Sequence, residues 1–194
     1  LTPKEYAQQL RAIADYLDPP APAPTRLNVP WLSQLGKDAA YAPGDCGPAA
    51  LAMWLRYLGH DVTVDQVSAQ SGLDRGFSYS MPAHLIWAAR HWSYDLYWQR
   101  YLELDVLRAE IDAGQPCIVL VNYPSLVKRY DSNYTRGHWI LITGYGDGVL
   151  YYNDPYWVDS VGKGIEISNA YFERAWQNNT LNGNSPDQAL RIRR

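Results

Sequence analysis

Apolar positions fall at helical spacing twice in the first part of the chain. Tyr6, Leu10, Ile13 and Leu17 recur every three to four residues within Thr2 to Leu17 and predict an amphipathic helix. The run Asp18-Pro19-Pro20-Ala21-Pro22-Ala23-Pro24 cannot continue it, because proline lacks an N–H and fixes φ, so an extended linker is expected there. A second helix starts at Cys46, carries Leu51, Trp54, Leu55 and Leu58 at the same spacing, and stops at Gly59. Further helices are predicted over 64–71, 82–91 and 103–113, the last ahead of Gly114.

From Pro116 onward the period changes. The runs Cys117 to Asn122, His138 to Thr143 and Val149 to Asn153 are short, rich in β-branched or aromatic residues and bounded by Gly, Pro or Asp, which is how buried strands read. The glycine-rich segment Gly144 to Gly148 makes the second and third of them a hairpin. A strand over 165–168 and a helix over 169–177 complete the pattern. A helical N-terminal half packed on a mostly antiparallel sheet is an α+β fold.

The expected division is residues 1–25 as helix and Pro-rich linker, and residues 26–194 as one domain. A stiff linker, and a chain that opens with Leu rather than Met, leave two readings of equal weight, a tether to other domains of a longer polypeptide upstream or a short arm packed on the domain. The compartment is not readable from this start.

Composition narrows the classes. Across 194 residues, 47% hydrophobic and 19% charged positions suffice for one sizeable core and are short for two. The formal charge of −3 comes with no block of like charges except the arginines near the C-terminus, which argues against a nucleic-acid partner. No apolar run approaches the roughly 20 residues of a transmembrane helix. Two cysteines are too few for a disulfide framework. Eight Trp and sixteen Tyr against two Phe favour a core and a cleft lined by rings that each carry a polar atom, with Trp31, Trp139, Tyr145 and Trp157 as the cleft candidates.

Two local patterns carry chemistry. Cys46 lies in Gly44-Asp45-Cys46-Gly47-Pro48-Ala49, where Asp45 is placed to cap and Pro48 fits a first turn, so the thiol sits at a helix N-terminus. Unpaired N–H groups and the positive end of the helix dipole stabilise a thiolate there, and Gly47 leaves room for a substrate backbone. Cys117, inside an apolar strand, reads as a packed thiol. His138 begins a strand, and a hairpin turning between residues 146 and 148 brings Asp154 within one to three positions of its cross-strand partner. A carboxylate beside an imidazole fixes its tautomer and stabilises the imidazolium formed when it takes a proton. His60, His84 and His91 have no companion set suited to zinc, and neither a metal nor a cofactor is expected.

These motifs, in this order, resemble those of the bacteriocin-processing, double-glycine leader peptidase-like family of papain-like cysteine peptidases. Val29-Pro30-Trp31-Leu32-Ser33-Gln34 is similar to its opening segment, Asp45-Cys46-Gly47-Pro48-Ala49 to its nucleophile motif, Gly114-Gln115-Pro116 to the start of its central strand, Gly137-His138-Trp139 to its histidine motif and Asn153-Asp154-Pro155 to its third-member motif. The resemblance covers about residues 28 to 177.

It implies a papain-like fold, a Cys46–His138–Asp154 triad acting through a thioester acyl-enzyme on peptide or amide substrates, and Gln34 as an oxyanion donor. Gly47, Trp31, Trp139 and Tyr145 are the residues expected against the substrate. The Gln34-to-Cys46 separation calls for a looping segment, and the insert Pro124 to Arg136, with Tyr123, Tyr130 and Tyr134, is expected to wall the cleft. An acyltransferase using the same residues and a non-catalytic peptide- or glycan-binding module on the same fold are the alternatives. A secreted or extracytoplasmic bacterial setting fits the resemblance without being fixed by it.

Overall fold

The computed structural model describes residues 2–17, 24–36, 44–73, 79–178 and 186–193. Its helices are α1 (Pro3–Leu17), α2 (Cys46–Tyr57), α3 (Val64–Gln70), α4 (Pro82–His91), α5 (Leu104–Asp112) and α6 (Asn169–Gln177). The strands are β1 (Thr25–Arg26), β2 (Leu96–Gln99), β3 (Cys117–Asn122), β4 (Gly137–Gly146), β5 (Val149–Asn153), β6 (Ile165–Ser168) and β7 (Ala189–Ile192). They form one seven-stranded sheet in the order β2-β7-β3-β4-β5-β6, with β1 added along β4. Every pairing is antiparallel.

Both faces of the sheet are covered, which is why β3 and β4 read as unbroken apolar runs. Ile118, Leu120, Trp139 and Leu141 join the core beneath α2 and α4, whereas Val119, Val121, Ile140 and Ile142 join the core beneath α5 and α6. The α3 helix begins with a reciprocal capping box between Thr63 and Gln66. Asp45 departs from its expected role. Its backbone is already helical, at φ −79° and ψ −1°, so the carboxylate does not fold back onto α2 and instead accepts from Ser68 Oγ at 3.0 Å.

Three strands were not legible in the sequence. The β2 and β7 strands pair with each other, β7 also pairs with β3, and β1 is fastened to β4 with Thr25 opposite Tyr145. Each is short and owes its strand conformation to a partner distant in the chain. The boundary expected after residue 25 falls within β1. In α1, Tyr6, Leu10 and Ile13 are exposed, and most of the Pro-rich linker lies outside the described residues. No helix among the described residues is long and apolar enough to cross a membrane.

Trp139 is a core residue rather than a cleft ring. It is 1% exposed, and its indole N–H donates to the Ser80 carbonyl at 2.8 Å, tying β4 to the segment before α4. Trp139→Phe keeps most of the packing and removes the donor. We expect it to lower the unfolding free energy by about 1–3 kcal/mol with an unchanged m-value in urea, the cost of stranding a buried acceptor.

Candidate active site

The β4–β5 hairpin builds the first half of the site. Leu141 pairs with Asn153 and Ile142 with Tyr152, and the register shifts between Ile142 and Gly144, nearer the turn. Continued past the strand end, this register sets residue 154 opposite residue 140, so His138 and Asp154 share a face as diagonal neighbours. His138 Nε2–H donates to Asp154 Oδ1 at 2.7 Å, and the two side chains are 2% and 0% exposed. The same oxygen accepts the Tyr156 N–H at 2.8 Å, an Asx turn of the kind an Asp two residues upstream forms.

Cys46 is the first residue of α2 and is almost wholly buried. It borders the same cavity as His138 and lies close enough to the imidazole to favour the charged ring, and Nδ1 is the ring nitrogen left free because Nε2 serves Asp154. Burial by itself disfavours the imidazolium. The charge of Asp154 and its hydrogen bond, followed by Cys46, outweigh burial and hold the imidazole at about 9, up from 6.5.

The segment Val29–Gln34 is lashed along the chain that carries Asp154. Trp31 Nε1–H donates to the Asp154 carbonyl at 2.8 Å, Gln34 N–H donates to the Pro155 carbonyl at 2.8 Å, and the Ser33 hydroxyl donates to the Trp157 carbonyl. Asp154 N–H in turn donates to the Gly162 carbonyl at 2.8 Å. A Cβ on Gly162 would lie 2.5 Å from the Asp154 carbonyl oxygen and 2.6 Å from the Trp31 indole nitrogen, so only glycine fits behind this clamp.

A cavity of about 350 Å³ opens onto Cys46 and His138. Gln34 lines it and is buried, so the opening segment does reach the site, although the loop over 37–43 that joins it to α2 lies outside the described residues. The insert before β4 supplies the facing wall through Asp131, Tyr134 and Arg136, with Tyr79 and Tyr156 beside them. The Tyr134 hydroxyl donates to the Gly137 carbonyl at 3.0 Å, and burial, then the neighbouring Cys46 charge, raise its pKa, keeping the phenol protonated.

Four residues expected against the substrate sit elsewhere. Trp139 is in the core, as described above. Tyr145 is buried at the far end of β4, its hydroxyl donating to Asp112 Oδ1 at 2.8 Å. Trp31 braces the Asp154 backbone rather than lining the cavity. Gly47 is small because a Cβ there would lie 2.3 Å from Ser80 Oγ, so it admits the neighbouring segment rather than a substrate.

Cys117 is a free thiol like Cys46. Burial, then Glu110, push its pKa up, as suits a packed residue. The sequence reading passed over Tyr79, Asp131, Tyr156 and Gly162. Asp154-Pro155-Tyr156 carried a turn signal that would have flagged Tyr156, whereas nothing local marks the others.

A helix-borne cysteine beside a buried imidazole–carboxylate pair, on this α+β frame, belongs to the papain-like cysteine peptidases. Residues 26–182 match the Peptidase_C39 like family, and the chain is a member of it, a cysteine peptidase-like hydrolase. The chain is similar to the crystal structure of a C39-like peptidase from Bacillus anthracis, at 19% identity and a TM-score of 0.63, covering 88% of this chain and 98% of that one. It is also similar to a double glycine motif protease from an AMS/PCAT transporter in complex with its leader peptide, at 23% identity and a TM-score of 0.57, covering 87% and 93%. The peptidase domain of Streptococcus ComA, a bi-functional ABC transporter, aligns at 19% identity and a TM-score of 0.55, covering 77% and 90%. At these identities the likeness is one of fold. No curated protein sequence matches the chain significantly.

Because the His138 pKa is raised on folding, the stability from its pairing is complete below 6.5 and is lost as pH rises to about 9. We expect the His138 ring resonances to titrate near 9 by NMR and the unfolding free energy to fall across that interval. In Asp154→Asn the titration midpoint should move down and the fall should shrink.

Proposed function

We propose that this domain is a cysteine peptidase in which Cys46 is the nucleophile, His138 the general acid and base, and Asp154 the residue that orients and charges the histidine. The observation that carries this reading is the buried 2.7 Å pair of His138 and Asp154, with the imidazole's other side on Cys46 at the mouth of a cavity.

The Cys46 thiolate adds to a peptide or amide carbonyl, and the tetrahedral oxyanion is held by the Cys46 N–H and the Gln34 side-chain amide. As the C–N bond breaks, the His138 imidazolium gives its proton to the leaving amine and a thioester remains. Water then adds to the thioester, passing a proton to His138, and the carboxylate product leaves with the thiolate restored. A raised histidine pKa suits the first step, because it keeps the ring protonated beside the thiolate until a leaving group needs the proton.

Peptides with small residues at the cleaved bond are the substrate class we favour, since rings and the insert crowd the cavity. The double glycine motif protease and the ComA peptidase domain, each described as part of a transporter, support a setting in which such a domain works on a peptide as one unit of a longer chain. Residues 1–25 would then join it to a preceding unit.

Assays on a fluorogenic peptide containing Gly-Gly test this. Cys46→Ala should give no turnover while keeping the wild-type fold by circular dichroism. Asp154→Asn should lower kcat by about 10²–10⁴-fold, and Gln34→Ala by about 10²–10³-fold. Wild-type turnover by Cys46→Ala would exclude the mechanism, and products coupled to added amine in place of hydrolysis would identify a transferase.

A further inference from the structure

The insert between β3 and β4 is a fixed wall, and the way it is fixed points at one side chain. Tyr123 is fully buried, with its ring edge-on to His138 at a centroid distance of 4.9 Å. Its hydroxyl accepts the backbone N–H of Tyr130 at 2.8 Å and of Asp131 at 3.3 Å. The Asp131 carboxylate is then oriented from two further directions. Oδ1 accepts the Asn133 N–H at 2.8 Å, and Oδ2 accepts the Tyr156 hydroxyl at 3.4 Å.

Those donors are neutral, and among the described residues Asp131 forms no ion pair. A carboxylate offers about four lone-pair sites, so two remain for a ligand. Asp131 borders the cavity that holds Cys46 and His138, and it also borders the outer groove beyond Tyr156. A negative charge is thus held rigidly where a bound chain must pass. Arg136, which borders the same cavity, lies with its guanidinium over the Tyr79 ring at 5.0 Å and forms no ion pair with Asp131.

We infer that Asp131 is a specificity determinant that binds a cationic group of the substrate, either a free α-ammonium or the side chain of a Lys or Arg, a few residues from the bond attacked by Cys46. The inference rests on the peptidase reading of this cleft. A charge-assisted hydrogen bond in a half-open cleft, at a carboxylate already oriented, is worth about ten-fold in discrimination. Because the partners are partly exposed, that preference should weaken as ionic strength rises.

Alkylation of Cys46 by tripeptide chloromethyl ketones tests this without knowledge of the natural substrate. Three probes suffice: Ala-Ala-Gly with a free amino terminus, the same peptide acetylated, and its acetylated form with Lys in the first position. Each rate is divided by that of iodoacetamide, which carries no peptide. We expect at least one cationic probe to exceed the neutral one by about ten-fold, and which of them does so identifies the terminus or the side chain as the source. Asp131→Asn should erase the preference. Tyr123→Phe, which keeps the ring against His138 but frees the Asp131 N–H, should reduce it. A neutral probe equal to both cationic ones, or a preference that survives Asp131→Asn, overturns the inference while rapid iodoacetamide labelling still supports Cys46 as nucleophile. Slow labelling of Cys46 by iodoacetamide itself would instead remove the peptidase reading on which the inference stands.

Discussion

A carboxylate with no exposed surface is held against an imidazole that is itself almost fully buried, and the rest of the site is arranged around that pair. Removing two such charges from water costs several kcal/mol per ion, so neither side chain is tolerable there without the other. Asp154 gains compensation from the imidazolium and from the Tyr156 N–H, while His138 gains its charge from Asp154 and from Cys46. The pair is therefore a constraint on the fold as much as a device for chemistry. Anything that shifts β4 against the chain after β5 leaves an uncompensated charge in the interior.

That constraint explains why so much of the hydrogen bonding near the site is spent on backbone. The Trp31 indole, the Ser33 hydroxyl and the Gln34 amide all grip the carbonyls between residues 154 and 157, and Gly162 closes on them from behind. Residues 31–34 and 154–157 are thus fastened to each other. The clamp has a chemical consequence, because the strap that holds Asp154 also delivers Gln34 to the cavity. The placement of the His138–Asp154 pair and that of Gln34 are therefore mechanically linked.

The aromatic surplus finds its use in this region, in a way composition alone did not indicate. Tyr123, Tyr134 and Tyr156 surround the His138 ring edge-on or tilted, and each spends its polar atom on the chain nearby. Tyrosine suits this role better than phenylalanine, since the ring excludes water from the imidazole while the hydroxyl fastens the insert. Two of the indoles lie in the core instead, Trp139 beneath α2 and Trp176 beneath the opposite face.

The sequence by itself determined the order and bounds of α2, α4, β3, β5, β6 and α6, because each is specified by local period, capping and turn residues. It also brought His138 and Asp154 together, since a glycine-rich turn sets the register of a hairpin and the register sets which residues are diagonal neighbours. Tertiary structure alone decided the edge strands β2 and β7 and the strap β1, which are too short to be strands without a partner from elsewhere in the chain. It also decided the fate of Trp31, Trp139, Tyr145 and Gly47. A strand buried on both faces has no polar side to mark which way a ring points, and the space around a glycine is defined by whatever segment packs against it. For such positions, contacts between residues far apart in the chain outweigh every local preference.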